Sequence, residues 1–324
     1  MNDIHPGDIA LNAILRAFDG LYNAPERRIE ERLRNFLKPK LKALQPRENE
    51  KTSEYHTRLM NAFSGARWAF IKKMIAIDLT DANTKATERV NDALDAAFVA
   101  GFNESAYVMA LSGAETWPIT LGIVTNLVTS GLISLRKRKL KRTKDIVYNE
   151  QRTQSAVMSA IAQDVSVEDL PKHVSRRVST ARKNETTSFA LAAVYGASDY
   201  GAYMAGKEAE KSGAEIEKTW LGIMDMRIRP SHKHLHGETI PLNEKFHGYH
   251  GLLRFPHDPE APPQEIYRCR CRMVVHLAGK SPGEYSRKIL PSQTTAYKKW
   301  RDAQVRKAMT EVELERIHRQ RMRK

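Results

Sequence analysis

Residues 218–242 read KTWLGIMDMRIRPSHKHLHGETIPL and residues 256–271 read PHDPEAPPQEIYRCRC. These two stretches decide the fold class, because helical periodicity stops where they begin. From residue 219 to 278 the chain is punctuated by Pro230, Pro241, Pro256, Pro259, Pro262 and Pro263. Proline fixes φ and removes a backbone donor, so this segment reads as loops with short strands. Strands are expected over 218–223, over 265–267 leading into 272–276, and over 238–241.

Upstream the pattern is helical. Leu11, Ile14, Leu15, Phe18 and Leu21 recur at three- and four-residue steps, and Ile29, Leu33, Phe36, Leu37 and Leu41 continue the stripe. A helix is expected over 54–77, with Leu59, Phe63, Trp68, Ile71 and Met74 inward. Asp81-Ala82-Asn83 offers caps for a further helix carrying Val90, Leu94, Phe98 and Phe102, in which Gly101 is tolerated at some cost. Helix continues over 146–161 and 167–193, with Ser166 to Asp169 as a start signal. The Ala- and Gly-rich run 188–205 suits close helix packing. The expected class is α+β: a mostly helical body with a small loop-rich β-containing module near the C-terminus. Four regions follow: helical 1–115, helical 116–217 with a basic cluster, the His/Cys module 218–279, and a basic helix or tail 280–324.

The chain has 324 residues, 53 Lys or Arg against 38 Asp or Glu, and a formal charge of +15. Mean hydropathy is −0.54, which excludes a fibrous or wholly disordered chain. The two cysteines, Cys269 and Cys271, are too close in sequence for an unstrained disulfide, which excludes a disulfide scaffold and favours a reducing compartment. Residues 1–8 lack the basic start and apolar run of a signal peptide. Residues 116–135 carry no charge and precede four basic residues, the outline of a membrane span. Four Thr, two Ser, one Asn, two Gly and Pro118 dilute that stretch, so a buried helix or loop–helix junction is expected and stable membrane insertion is not.

Between Arg136 and Lys144, seven of nine residues are basic: Arg136, Lys137, Arg138, Lys139, Lys141, Arg142 and Lys144. Residues 297–324 add ten cations against four acids. Clustered cations neutralise phosphates without reading sequence, so non-specific double-stranded DNA is the expected ligand, beside the plainer reading of solvated helix faces.

Seven of the 11 histidines stand between His232 and His276, together with both cysteines. If extended, the backbone would turn His232, His234 and His236 to one face, and Cys269 and Cys271 likewise. Thiolate and imidazole together suit Zn²⁺, which gives a candidate structural site of His232, Cys269 and Cys271. Buried thiols and partly exposed histidines without metal are the alternative. An enzymatic alternative uses Asp225, His232 and His234 on a divalent metal, with Arg227 and Arg229 on a phosphate, as in a metal-dependent nuclease or effector.

The order of landmarks resembles the phage Mu F-like minor head proteins, also called the phage head morphogenesis family. It runs Lys218-Thr219-Trp220, Asp225-x-Arg227-x-Arg229-x-x-His232, Gly237, Phe246, Pro256-His257-Asp258-Pro259, Pro262-Pro263 and Cys269-Arg270-Cys271. Arg182-Lys183-Asn184-Glu185-Thr186 stands where the family often carries Arg-Thr-Glu, in relaxed form. His234, His236, His247 and His250 lie outside the pattern. The resemblance implies a non-enzymatic minor structural protein of a tailed-phage head. It would be made in the host cytoplasm, associate with portal, major capsid or scaffolding protein, and assist assembly or DNA packaging and delivery. A non-specific DNA-binding protein without a head role is the other alternative.

Overall fold

The computed structural model describes residues 5–130, 135, 146–280, 294–304 and 306. The basic run from Arg136 to Lys144 and most of the C-terminal basic stretch lie outside the described residues. Eight α-helices of at least six residues, a further helical run over 295–304 and five short strands are described, an α+β chain with its strands confined to the C-terminal part, as the sequence predicts.

The helices are α1 Asp8–Leu37, α2 Thr52–Ala62, α3 Gly65–Asp92, α4 Leu94–Leu111, α5 Leu121–Thr129, α6 Ile146–Ala162 and α7 Leu170–Lys211. A 3₁₀ turn, Lys38–Leu44, follows α1. The later elements are β1 Ile216–Leu221, α8 Pro230–Leu235, β2 Thr239–Pro241, β3 Phe246–Gly248, β4 Gly251–Leu253, the single turn α9 Pro263–Ile266 and β5 Arg272–Leu277.

Three helical expectations are revised. The helix expected over 54–77 is broken at Gly65, whose φ of +78° is cheap only without a side chain. Asp81-Ala82-Asn83 does not cap a helix but lies inside α3, where buried Asn83 accepts from the Tyr22 hydroxyl at 2.6 Å. The helix expected to end near residue 193 runs unbroken to Lys211. Its start is as read: Ser166 Oγ accepts the Asp169 N–H at 3.2 Å and donates to the Asp169 carboxylate at 2.8 Å.

The chain divides into two compact units. One comprises residues 13–91 and 138–190. Its core joins Ile29, Leu33 and Phe36 of α1 to Leu59, Trp68, Ile75 and Leu79, to Val157 and Ile161 of α6, and to Val174 and Val178 of α7. Trp68 packs on Phe36 and Phe63 with centroids 5.3 and 5.0 Å apart, and its indole N–H donates to Gln154. Tyr22 meets Thr186 of the relaxed Arg-Thr-Glu element at 2.6 Å, and buried Arg182 stacks on Tyr148 while donating to Glu185.

The other unit comprises residues 1–12, 92–137 and 191–324. Here α4 lies against the second half of α7. A Cβ added at Gly101 would sit 1.9 Å from the Ser198 carbonyl oxygen, and one at Gly201 would sit 2.2 Å from that of Phe98. The close packing expected of 188–205 is therefore present, and Gly101 stands in α4 because no side chain fits there. Phe98, Phe102 and Met109 join Ala202 and Ala205 and the strand residues Ile216, Met273 and Val275 in one core.

β1 is the central strand of a three-stranded antiparallel sheet, ordered β2–β1–β5. Trp220 pairs with Met273 and Thr219 with Val274. β3 and β4 form a separate hairpin, with Phe246 opposite Leu253. The strand expected over 265–267 is instead α9 and its exit. Pro262 precedes the turn and Pro263 opens it, which pre-sets helical φ while leaving no donor for a ladder. No described helix is long and apolar enough to cross a membrane, and among its described residues the uncharged stretch 116–135 holds only the nine-residue α5.

Candidate functional site: a buried His/Cys/Cys cluster

Four local structures converge on one point. α8 begins at Pro230 and turns His232 inward; α9 presents Glu265; the segment before β5 carries Cys269 and Cys271; and Trp220 of β1 forms the wall. Around them Leu235, Phe246, Leu253, Ala261 and Ile266 make a small apolar cluster. Trp220 packs edge-on against both His232, at 5.3 Å, and Phe246, at 5.2 Å.

His232, Cys269 and Cys271 are all buried, and their ligand atoms lie within 4.8 Å of one another. His232 Nδ1 is 3.3 Å from Cys269 Sγ and 3.4 Å from Cys271 Sγ. On the other ring edge, His232 Nε2 meets Glu265 Oε2 at 2.9 Å. Glu265 is wholly buried, and it also accepts from Ser231 Oγ at 3.0 Å and from the His250 backbone N–H at 2.9 Å. Burial pushes the Glu265 carboxyl upward, but these donors outweigh it and hold the pKa below the usual value. An ionised Glu265 can only accept, so the ring proton sits on Nε2 and the Nδ1 lone pair faces the two sulfurs.

Tetrahedral zinc, with Zn–S of about 2.3 Å and Zn–N of about 2.0–2.1 Å, puts sulfur and nitrogen roughly 3.5 Å apart. The observed spacings fall close to that value. Three donor atoms this close together could hold a metal ion. Burial drives the Cys269 thiol well up, while Cys271, accepting from Cys269 and facing His232, is held well down. Glu265 supplies the outer carboxylate that commonly fixes the tautomer of a metal-bound histidine.

The three histidines expected on one face do not share it. α8 is helical, so His232 points inward and His234 is exposed near Tyr249, while His236 Nδ1 accepts the Gly222 N–H at 3.1 Å. The Asp225, His232 and His234 set of the nuclease alternative is not brought together either. Both Asp225 oxygens are bound by Arg270, at 2.7 and 2.8 Å, and the Arg270 hydrogen bonds hold its carboxyl well below the usual range. Arg227, mostly exposed, adds its backbone N–H and guanidinium to the same carboxylate. Arg229 reaches the Glu265 carbonyl at 3.5 Å.

The other landmarks have structural reasons. Gly237 adopts φ +86° and donates to the Trp220 carbonyl at 2.8 Å. Pro256 is buried and leads into His257, which holds φ +61°. His257 is wholly buried; its Nδ1 is 3.0 Å from Asp199 Oδ2 and its Nε2 2.9 Å from the Cys269 carbonyl. Both nitrogens therefore have an oxygen partner within hydrogen-bond distance.

Asp199 is flanked on its other oxygen by His5 Nε2 at 3.4 Å. His5 Nδ1 accepts the Gly7 N–H at 3.0 Å, so its Nε2 also bears the proton. Burial lowers the pKa of His5; burial raises that of Asp199, but the two histidines outweigh it and leave it lowered. His5, Asp199 and His257 thus make a second buried cluster of close ligand-type atoms. Glu265, Asp199 and His5 carry no spacing signal that sequence reading could have caught.

The fold and site together define a helical protein bearing a compact antiparallel module closed around a buried His/Cys/Cys cluster. Residues 151–274 match the family model described as Phage Mu protein F like protein. That span contains every landmark from Arg182 to Cys271, and over somewhat more than a third of its length the chain is similar to that family. No curated protein and no solved structure matches it.

Proposed function

We propose that this protein is a minor structural component of a tailed-phage head that associates with portal or procapsid and assists head morphogenesis. The match over residues 151–274 carries the reading. It covers both the long helix α7 and the module built around Trp220, His232, Cys269 and Cys271. The role is structural rather than enzymatic: the buried cluster has walls of packed side chains, and Asp225, Arg227 and Arg270 tie a loop to the module instead of meeting the histidine. The protein acts in the virion head after synthesis in the host cytoplasm. Its cationic stretches at 136–144 and 297–324 meet packaged double-stranded DNA.

The test is co-expression with the portal, scaffolding and major capsid proteins of the same phage. The protein should co-purify with portal or appear in procapsids. A soluble, folded protein absent from both would overturn the head assignment.

Within this role, His232, Cys269 and Cys271 hold a structural zinc ion that locks the loop-rich module. Elemental analysis of protein purified under reducing conditions should find about one zinc per chain, lost in a Cys269→Ser, Cys271→Ser variant. A strong chelator should lower the Tm of the parent toward that of the variant and leave the variant unmoved. Absence of zinc from the parent would sink this part alone.

A further inference from the structure

The outer face of α7 carries an open groove of about 640 Å³, within the unit formed by residues 13–91 and 138–190. Lys172, His173, Arg176 and Arg177 line it, followed by Thr180 and Asn184. Five of these six side chains are exposed, His173 being half-buried. Steps of three and four residues place them along one helix face, so the row from Lys172 to Asn184 runs for about 18 Å at 1.5 Å per residue.

Among the described residues, no acid pairs with Lys172, Arg176 or Arg177. Several cations nearby in the same unit are already neutralised: Arg28 and Arg32 by Asp78, Arg58 by Glu50 and Lys183 by Asp19. The one acid among the described residues lining the groove, Asp169, is engaged by Ser166 at the helix start.

We propose that this groove binds the phosphodiester backbone of double-stranded DNA. A linear row of unpaired cations fits a linear row of phosphates better than it fits a single anion. Thr180 and Asn184 extend the row with neutral donors suited to phosphate oxygens. Among the described residues no Phe, Tyr or Trp lines the groove, so unpaired bases would find nothing there to stack on, and the duplex is the matching form. The site uses none of the residues of the basic run 136–144 and needs neither the metal nor a head partner.

The experiment is fluorescence anisotropy of the full chain with a short labelled duplex of arbitrary sequence, between about 50 and 200 mM salt. A Lys172→Gln, Arg176→Gln, Arg177→Gln variant should bind with a log–log salt slope shallower by about 2 to 3, each phosphate contact contributing about 0.9. An Arg176→Lys, Arg177→Lys variant should keep the parental slope, and a variant neutralised over 136–144 should lose slope independently. On the unaltered protein, duplex DNA should protect Lys172 from amine acetylation read by mass spectrometry. A triple variant with the parental slope, an unprotected Lys172, or a parent that binds no DNA would each overturn the proposal. None of these outcomes bears on co-purification with portal.

Discussion

Glu265 and His232 meet at 2.9 Å, both withdrawn from solvent, with the carboxylate on the ring edge opposite the one that faces Cys269 and Cys271. The acid therefore sets which nitrogen is free for the thiol side. Glu265→Gln keeps the shape and removes the charge. The zinc dissociation constant should rise by roughly 10- to 100-fold, the usual cost of losing an outer-shell carboxylate. Competition against a coloured chelator measures it, with circular dichroism confirming the fold. An unchanged constant would remove Glu265 from this role.

Lys218 gives a pH dependence of definite sign. Its side chain is fully buried, with Nζ donating to the carbonyls of Glu244 at 2.6 Å and Arg254 at 2.7 Å, and facing the rings of Tyr203 and Phe246. Burial, opposed by Asp258, pushes its pKa down to about 8. Between about 8 and the unfolded value near 10.4 the unfolded chain binds more protons, so this residue's contribution to stability grows as pH rises. It is fully present above the unfolded value and lost as pH falls through 8. The stability of the parent relative to Lys218→Met should climb by up to about 1.4 kcal/mol per pH unit across that window. Urea titrations at stepped pH test this; a flat difference would refute it.

Asp199 lies 3.0 Å from buried His257 and faces buried His5 with its other oxygen. Asp199→Asn removes the carboxylate on which both rings converge, and should cost about 1–3 kcal/mol. Because the folded pKa of Asp199 is lowered, its stabilisation is present above the ordinary carboxylate value and lost as pH falls through the folded one. Parent and variant should therefore converge in acid. Thermal unfolding at neutral and acidic pH checks both statements, and an equal gap at both would contradict the pairing.

Gly201→Ala puts a methyl group 2.2 Å from the Phe98 carbonyl oxygen, a contact that backbone must move to relieve. Destabilisation of about 1–3 kcal/mol is expected despite alanine's better helix propensity. Gly20→Ala in α1, where nothing lies within 4 Å of the added carbon, should instead be neutral or stabilising. The two chemical midpoints, read side by side, separate close approach from propensity.

Much of this architecture was legible in the residues. The stripes through Ile29, Leu33 and Phe36 report a buried helix face directly, and the proline-punctuated segment marks where helix must stop. His232, Cys269 and Cys271 were legible because thiolate and imidazole have few other reasons to cluster. Glu265 was not: an acid inside a proline-rich turn has no periodicity, and its partners lie at residues 231, 232 and 250. Asp199 was hidden the same way, as a polar residue in an alanine-rich helix whose counterparts are His5 and His257. The loss of the shared histidine face has a simple cause. Pro230 opens a helical turn, and alternation by two becomes rotation by 100° per residue.

β1 and β5 are neighbours in the sheet although residues 222–271 separate them in the chain. The intervening segment is a ring, closed at its neck by six residue pairs and again, just inside the neck, by Cys269 and Cys271 against His232. A peptide bond cut between residues 232 and 269 would leave two pieces still holding each other at both places. Cleavage there would be visible in a denaturing gel long before it was felt by anything bound to the rest of the protein.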